Sequence, residues 1–279
     1  MKRETSEAVM QPFADGYADR LLALDQVLSQ LEGGLAIAFS GGVDSAVLLH
    51  AAKRVLGAGA LGVIADSPSL PRLELERARD CAAQIGAQLR VIGTYEGDDP
   101  RYQRNDALRC YWCKNALFEA MQAVLQSDGL AHLAYGENLD DGGDDRPGRR
   151  AAGEHLVRAP LAEAGFTKDD VRRYARDAGL KVAKKAASAC LASRIPRGVV
   201  VTPQRLAKVE QAEACLHRLG FQVIRVRHQG AHAKLEFGSA EFGRATEMQS
   251  TIASELAQVG YATVEHGLYR SPEERAQQP

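Results

Sequence analysis

Short apolar runs alternate with longer amphipathic runs over the first two thirds of the chain, and this alternation limits the possible folds more than any other feature. The apolar runs predict buried strands, and the runs between them predict helices. Strands that alternate with helices are typical of a parallel sheet covered by helices on both faces. We therefore predict an α/β fold with a doubly wound parallel sheet, in which ligands bind at the carboxyl ends of the strands.

The predicted strands lie at 35–39, 61–65, 88–92 and 132–135, and the predicted helices at 43–56, 72–85, 113–126 and 167–178. Thr167 is the expected N-cap of the last helix, and Asp170 completes a pattern similar to a capping box. Residues 138–154 interrupt the alternation with aspartates, glycines and Pro147. We interpret them either as a solvated surface loop or as a mobile lid beside the sheet edge.

The pattern changes near residue 201, which indicates a second unit. Thr202 is expected to cap a helix that has Pro203 at its first position and ends at Gly220. Strands are predicted at 221–227, 233–237 and 261–264, with a helix at 241–259. We expect a first domain over 1–200, a small α+β domain over 201–270 and a frayed polar tail over 271–279.

Composition and charge narrow the functional classes. Lysine plus arginine number 35 and aspartate plus glutamate 36, so the net charge of the 279-residue chain is -1. Such a chain lacks the basic field that nucleic-acid binding usually needs, and we expect no nucleic-acid partner. No apolar run approaches the roughly 20 residues of a membrane span, and residues 1–7 lack the apolar core of a signal peptide. We therefore expect a cytoplasmic protein without membrane contact.

The sequence Ser-Gly-Gly-Val-Asp-Ser at 40–45 lies between a predicted strand and a predicted helix. Gly41 and Gly42 let the backbone turn tightly and approach a ligand. The following helix offers unpaired N–H groups and a partial positive charge, and Ser40 and Ser45 add hydroxyl donors. These features predict a cradle for a phosphate group. The loop differs from a Walker A loop, which has a lysine after its last glycine.

The hexapeptide resembles the PP-loop of the ATP pyrophosphatase superfamily. The resemblance implies that the loop grips the pyrophosphate of ATP, and that ATP is cut into AMP and pyrophosphate. Asp44 is then expected to help bind Mg²⁺, which prefers carboxylate and phosphate oxygens; otherwise it only complements the charge of the helix N-terminus. Asp66, after the second predicted strand, lies where this superfamily approaches the adenosine.

The chain has five cysteines. Cys81 and Cys215 each share a helical face with apolar residues and are expected in the core. Cys110 and Cys113 form a C-x-x-C pair just before a predicted helix, and such a pair can be redox-active, metal-binding or inert. The helix N-terminus would lower their thiol pKa. With Cys190 they could supply three thiolates to an iron–sulfur cluster that leaves one iron open.

Cys190 lies in an irregular segment close to Ser193, Arg194 and Arg197. Nearby cations stabilise a thiolate and make it a nucleophile at neutral pH. We interpret Cys190 as a catalytic residue, and the alternative is a buried structural cysteine in a loop.

Several motifs occur in the same order as in one known family. They are SGGVDS at 40–45, RCYWCK at 109–114, GENLDD at 136–141, ACLASRIP at 189–196, RVR at 225–227 and KLE at 234–236. Because of these motifs, the chain resembles the LarE family of ATP-dependent sulfur transferases over nearly its full length. ACLASRIP is the most specific of the motifs. Ala186 stands where proline is expected, and Lys184 where a polar or acidic residue is usual; neither change removes a reactive group.

The resemblance implies a role in making the nickel-pincer nucleotide cofactor. ATP would activate the carboxylates of pyridinium biscarboxylic acid mononucleotide as acyl adenylates, and sulfur would replace the adenylate to give thiocarboxylates. The substrate would bind at Ser193, Arg194, Arg225 and Arg227. The last two alternate on a strand and face one way, as a phosphate or carboxylate site requires, although a solvated strand face would show the same pattern. The family also implies a homo-oligomer, with substrate binding and oligomerisation assigned to the small domain.

The resemblance implies two possible sulfur sources. In one, Cys190 gives up its own sulfur and becomes dehydroalanine. In the other, Cys110, Cys113 and Cys190 hold a 4Fe-4S cluster whose open iron carries the sulfur, and the C-x-x-C pair favours this source. Glu213 and Glu236 are candidates for a divalent metal near the substrate.

Three other functions stay open on the sequence. A PP-loop tRNA thiolation enzyme would share the loop and the cysteines, but a net charge of -1 disfavours it. An ammonia-dependent adenylating enzyme such as NAD synthetase would not need Cys190. A nickel or iron–sulfur delivery protein would not turn over ATP.

Overall fold

The computed structural model describes residues 16–143, 147–185 and 189–270. Within them, one sheet contains β1 (Leu35–Ala38), β2 (Ala60–Asp66), β3 (Gln88–Gly93) and β4 (His132–Tyr135). Its strand order is β3-β2-β1-β4, and every neighbouring pair is parallel. The predicted α/β fold with a doubly wound parallel sheet is confirmed.

The helices that accompany this sheet are α1 (Tyr17–Ser29), α2 (Val43–Leu56), α3 (Arg72–Ile85), α4 (Pro100–Gln103), α5 (Arg109–Asp128), α6 (Pro147–Glu154), α7 (Pro160–Glu163) and α8 (Lys168–Asp177). α2 and α3 have the predicted bounds, and α8 agrees within one residue at each end. α1 has no counterpart among the predicted helices; it buries Tyr17, Leu24 and Leu28. No helix in the described ranges is long and apolar enough to cross a membrane.

β1 lies between two apolar layers, because its side chains alternate between the faces of the sheet. Leu35 and Ile37 belong to the layer that includes buried residues of α1, α2 and α8. Ala36 and Ala38 belong to the layer formed with α5 and α6. The strand is therefore held from both sides up to the point where residues 40–45 leave its carboxyl end.

α5 and α6 differ from the predictions. α5 begins at Arg109 rather than near residue 113, so the C-x-x-C pair lies inside its first turns. Residues 147–154 form helix α6, which buries Ala151 and Ala152. The interpretation of 138–154 as a surface loop or lid is therefore wrong for residues 147–154. The two alanines give this segment an apolar face, which packs as a helix. The predicted loop residues Asp144 and Asp145 lie outside the described residues.

The second sheet contains β5 (Ile224–Gln229), β6 (His232–Phe237) and β7 (Thr263–Leu268), in the order β5-β6-β7. β5 and β6 are antiparallel, and β6 and β7 are parallel. The accompanying helices are α9 (Pro203–Arg218), α10 (Ser239–Glu247) and α11 (Gln249–Gln258). The single helix predicted at 241–259 is thus two helices, with a break at Met248. The tail predicted at 271–279 lies outside the described residues.

The apolar core of this second unit extends upstream of residue 200. Leu191, Ala192 and Ile195 are buried in the same cluster as residues of α9 and the second sheet. The segment that follows Cys190 is therefore packed against the C-terminal sheet, and the boundary near residue 200 stays a prediction.

Asp170 ties α8 to α1. Arg20 Nε and Nη2 donate to its two carboxylate oxygens, each at 2.8 Å. Thr167 and Asp170 also form the predicted capping box. Burial by itself raises the pKa of Asp170, but the hydrogen bonds from Arg20 and Thr167 outweigh it and hold the pKa below its usual 3.8.

We expect Asp170→Ala to lower the free energy of unfolding by about 2–3 kcal/mol, since it removes the side-chain half of the capping box and two charge-assisted hydrogen bonds from Arg20. A carboxyl group whose pKa is depressed by folding stabilises the protein above its unfolded pKa, and this stabilisation is lost as the pH falls through its folded pKa. Urea unfolding should therefore show the wild-type advantage at about pH 7 and its loss below about pH 4.

Asp169→Ala is the matched control, because Asp169 is exposed in the same helical turn. It should change stability by less than about 0.5 kcal/mol. Equal effects of the two substitutions would show that the contacts of Asp170 do not stabilise α8.

Candidate functional site

Residues 40–45 form a closed turn between β1 and α2. Ser45 Oγ accepts a hydrogen bond from the Ser40 amide at 3.2 Å and donates to the Gly42 carbonyl at 3.1 Å. Gly41 has φ 68°, and a Cβ there would lie 2.8 Å from the Cβ of Ala78 in α3. Glycine is therefore needed at residue 41 both for the backbone angle and for the packing of α3 behind the loop.

The loop is also approached closely from β4. A Cβ on Gly136, just after this strand, would lie 2.7 Å from the backbone nitrogen of Ser45. The exit of β4 thus lies directly against the N-terminus of α2, where unpaired N–H groups can bind an anion.

Asp44 is held by two side chains. Lys168 Nζ lies 2.8 and 2.6 Å from its two carboxylate oxygens, and Asn138 Nδ2 donates to Asp44 Oδ1 at 3.0 Å. Asn138 also donates to the Asp141 carboxylate at 2.8 Å. A carboxylate beside a phosphate-binding loop fits the oxygen preference of Mg²⁺, but Lys168 contacts both of its oxygens in this arrangement.

Asp66 lies at the end of β2, on the same edge of the sheet. Its carboxylate accepts a hydrogen bond from Arg72 Nη1 at 2.5 Å, and its side chain is partly exposed. Arg72 also donates to the carbonyls of Ser67 and Leu70. The position agrees with a place beside a nucleotide, and the adenosine contact itself stays a prediction.

Lys185 links the loop to the segment that leads to Cys190, a contact that the sequence analysis does not predict. Its Nζ donates to the Gly41 carbonyl at 2.9 Å and lies 2.6 Å from the carboxylate of Glu74. Glu74 is buried and also accepts from Arg77 at 2.9 Å. The sequence contained one hint, the basic pair at 184–185 near Cys190.

Cys190 itself is half-buried. The amide of Leu191 donates to the Ser69 carbonyl at 2.8 Å, which fixes the segment beside the exit of β2. Ser193 Oγ donates to the Cys190 carbonyl at 2.8 Å within a short 3₁₀ turn. The backbone at Cys190 is therefore fixed on the same side of the sheet as the phosphate loop.

Arg194, a predicted substrate ligand, is 2% exposed and fully engaged inside the protein. Its Nε and Nη2 donate to the two Glu213 oxygens at 2.9 and 3.2 Å, and its Nη1 donates to the Cys190 carbonyl at 2.9 Å. Glu213 also accepts from the Val226 amide at 3.0 Å. The structure gives both side chains a positioning role, and the predicted substrate and metal contacts would require the pair to separate.

Arg225 and Arg227 lie on one face of β5, as predicted, between the buried residues of the other face. Arg227 donates to Glu236 at 3.1 and 2.7 Å and to the Ser193 carbonyl at 3.1 Å. Burial, followed by the nearby charge of Arg194, lowers the pKa of Arg225. These contacts bring the two predicted arginines to the Cys190 segment and engage Glu236, the second predicted metal ligand, in an ion pair.

The five cysteines divide as predicted by burial. Cys81 and Cys215 are buried. Cys113 and Cys190 pack against one apolar cluster, while Cys110 is exposed. Burial first, then the charges of Glu96 and Cys190, raise the pKa of Cys113 to about 12. This is opposite to the predicted effect of a helix N-terminus, because Cys113 lies in the second turn of α5 and is shielded from water.

Among the residues that the structure describes, no three His, Cys, Asp or Glu side chains lie close enough together to hold a metal ion. The cluster stays a prediction from the sequence.

A cavity of about 660 Å³ lies between the start of α3, the Cys190 segment and α9. It has the size of a small-molecule site. Its lining includes Lys185, Leu191, Arg194, Glu213 and Arg225. Three of the residues predicted for substrate or metal binding thus border one space, together with the lysine that contacts the phosphate loop.

The parallel sheet, the glycine-rich loop after β1 and the cysteine segment at the same edge define an α/β protein of the PP-loop class. The pyridinium-3,5-bisthiocarboxylic acid mononucleotide synthase of Lactiplantibacillus plantarum is 32% identical over 240 residues, which cover 85% of this chain and 87% of that protein. The chain therefore belongs to the LarE family, as the motifs predicted.

Two further relatives are similar to this chain. An uncharacterized protein of Synechocystis sp. is 40% identical over 217 residues, 78% of this chain and 81% of the relative. Argininosuccinate synthase of Halobacterium salinarum is 29% identical over 171 residues, 54% of this chain and 40% of that protein. No protein-family model matches the chain. Membership of the PP-loop class suggests that the protein uses ATP.

Gly136→Ala should weaken ATP binding by at least about tenfold, or about 1.4 kcal/mol, because the new methyl group would displace the Ser45 amide. Calorimetric titration with ATP measures the effect. Gly93→Ala is the control: Gly93 ends β3, and a Cβ there meets nothing within 4 Å. Unchanged ATP affinity in Gly136→Ala would show that ATP does not use this end of α2.

Glu213→Ala should lower the free energy of unfolding by about 3–5 kcal/mol, because it leaves the buried Arg194 guanidinium without its counter-charge. Urea unfolding measures this, with Gln204→Ala, at an exposed position on α9, as the control. A Glu213→Ala protein of wild-type stability that has lost divalent-metal binding would instead support the predicted metal role.

Proposed function

We propose that this protein is an ATP-dependent sulfur transferase that converts the two carboxylates of pyridinium biscarboxylic acid mononucleotide to thiocarboxylates. Membership of the LarE family supports the reaction and the substrate. The geometry supports the order of events, in which a carboxylate is first activated at the phosphate loop and then receives sulfur at Cys190.

One observation carries the proposal: the segment that bears Cys190 is attached to the phosphate-binding edge of the sheet on both sides of the cysteine. Lys185 donates to the Gly41 carbonyl at 2.9 Å before it. Leu191 donates to the Ser69 carbonyl at 2.8 Å after it. An acyl adenylate formed at this edge would therefore be within reach of the thiol without rearrangement of the sheet.

The first step makes the carboxylate reactive. A carboxylate oxygen of the substrate attacks the α-phosphate of ATP, the bond between the α and β phosphates breaks, and pyrophosphate leaves. The N–H groups at the start of α2 and the hydroxyls of Ser40 and Ser45 would bind the departing phosphates. Mg²⁺ at Asp44 would supply positive charge to them when bound.

The second step replaces the adenylate with sulfur. The Cys190 thiolate attacks the acyl carbon, a carbon–sulfur bond forms, and AMP leaves with the electron pair of the broken bond. In the sacrificial route the Cβ–Sγ bond of Cys190 then breaks with loss of its α-proton, which gives the thiocarboxylate and dehydroalanine. Arg194 and Ser193, which both bind the Cys190 carbonyl, would hold the backbone during the attack.

The steps above take the sulfur from Cys190 itself. The cluster route predicted from the C-x-x-C pair is kept as an outcome of the experiment. The substrate contacts of Arg225 and Arg227 are part of the proposal. They are supported by the place of Arg225 in the cavity lining and by the hydrogen bond from Arg227 to the Ser193 carbonyl.

A single anaerobic turnover with ATP and the dicarboxylate mononucleotide tests the proposal. Wild-type protein should release pyrophosphate and AMP and form a thiocarboxylate, as measured by mass spectrometry of the nucleotide. Cys190→Ala should still release pyrophosphate, because adenylation does not need the thiol, but should form no thiocarboxylate. Thiocarboxylate formation by Cys190→Ala would refute the role of Cys190.

Cys110→Ala separates the two sulfur sources. If Cys190 gives up its own sulfur, this variant keeps activity, and mass spectrometry finds dehydroalanine at residue 190. If a cluster carries the sulfur, Cys110→Ala loses activity, and the anaerobically purified wild-type protein contains iron and sulfide.

A further inference from the structure

The phosphate loop brings no positive side chain of its own. Residues 40–45 contribute one charged group, the Asp44 carboxylate, and this carboxylate repels a phosphate. If the loop holds the β and γ phosphates of ATP, their charge has to be balanced by Mg²⁺ and by cations from elsewhere in the chain.

Lys168 brings such a cation to the loop from a distant part of the sequence. Its ammonium contacts both Asp44 oxygens, at 2.8 and 2.6 Å, across 124 positions of the chain. Its backbone is fixed at the start of α8, where the Lys168 N–H donates to the Asp140 carboxylate at 2.7 Å. The side chain is 34% exposed. The ammonium can therefore move while the backbone stays in place.

Asp44 has a second partner that would remain. Asn138 is 2% exposed and donates to Asp44 Oδ1 at 3.0 Å, so it keeps the carboxylate oriented when Lys168 leaves. Mg²⁺ that arrives with ATP would replace the lost positive charge, because Mg²⁺ favours a carboxylate together with phosphate oxygens. The exchange leaves Asp44 neutralised and releases an ammonium beside the phosphates.

We propose that Lys168 is an exchangeable phosphate ligand: it neutralises Asp44 until Mg²⁺–ATP binds, and then moves from the Asp44 carboxylate to the β or γ phosphate. This inference rests on the proposed function, since it requires ATP at residues 40–45. It assigns a binding role to the start of α8, which contains neither the glycine-rich motif nor a cysteine.

Lys168→Met tests the exchange, because it removes the ammonium and keeps most of the side-chain stem. Calorimetry at saturating Mg²⁺ should show about tenfold weaker ATP binding. AMP binding should be unchanged, because AMP lacks the β and γ phosphates. The Mg²⁺ concentration that half-saturates ATP binding should fall in the variant, since Mg²⁺ no longer competes with Lys168 for Asp44.

Arg172→Met is the matched control, since Arg172 is an exposed cation on the same helix; all three quantities should match the wild type. Lys168→Gln repeats the test if the methionine variant folds poorly. Equal loss of ATP and AMP binding, unchanged ATP affinity, or an unchanged Mg²⁺ requirement would each overturn the inference alone. A wild-type protein that binds no ATP would overturn the proposed function and this inference with it.

Discussion

The buried ion pair between Arg194 and Glu213 fixes the backbone at Cys190 relative to α9 and the second sheet. Such a pair adds little net stability, because dehydration of two charges costs several kcal/mol per ion. The pair instead holds in place the backbone groups that it binds. The guanidinium binds the Cys190 carbonyl, and the carboxylate binds both the guanidinium and the amide of Val226 in β5. The backbone that carries the thiol therefore has a defined place, although the chain after it forms only a short 3₁₀ turn.

The charges of the site are balanced pair by pair rather than collected into a basic patch. Lys168 faces Asp44, Lys185 faces Glu74, and Arg227 faces Glu236. This arrangement is compatible with a net charge of -1 in a protein proposed to bind two nucleotides. It also differs from the interpretation of the sequence, which assigned local positive charge to the arginines near Cys190. In the folded chain an anionic ligand has to compete with, or replace, a carboxylate for each of these three cations.

The parts of the fold that could be predicted are those set by local patterns. The bounds of α2 and α3 follow from apolar spacing, and the capping box at Thr167 follows from two residues three positions apart. α6 was missed because its apolar side consists of alanines, which give a weak periodic signal. The contacts of Lys168 and Lys185 could not be predicted, because their partners are 124 and 144 positions away and a lysine near a helix start is ordinary in sequence.

Activation and sulfur transfer are joined through one short stretch of chain. Its first residue, Lys185, contacts the phosphate loop, and its last, Arg194, contacts α9, with Cys190 between them. A displacement of Gly41 by bound phosphates would be transmitted to Lys185 through a single hydrogen bond, whereas Arg194 holds the other end against a buried carboxylate.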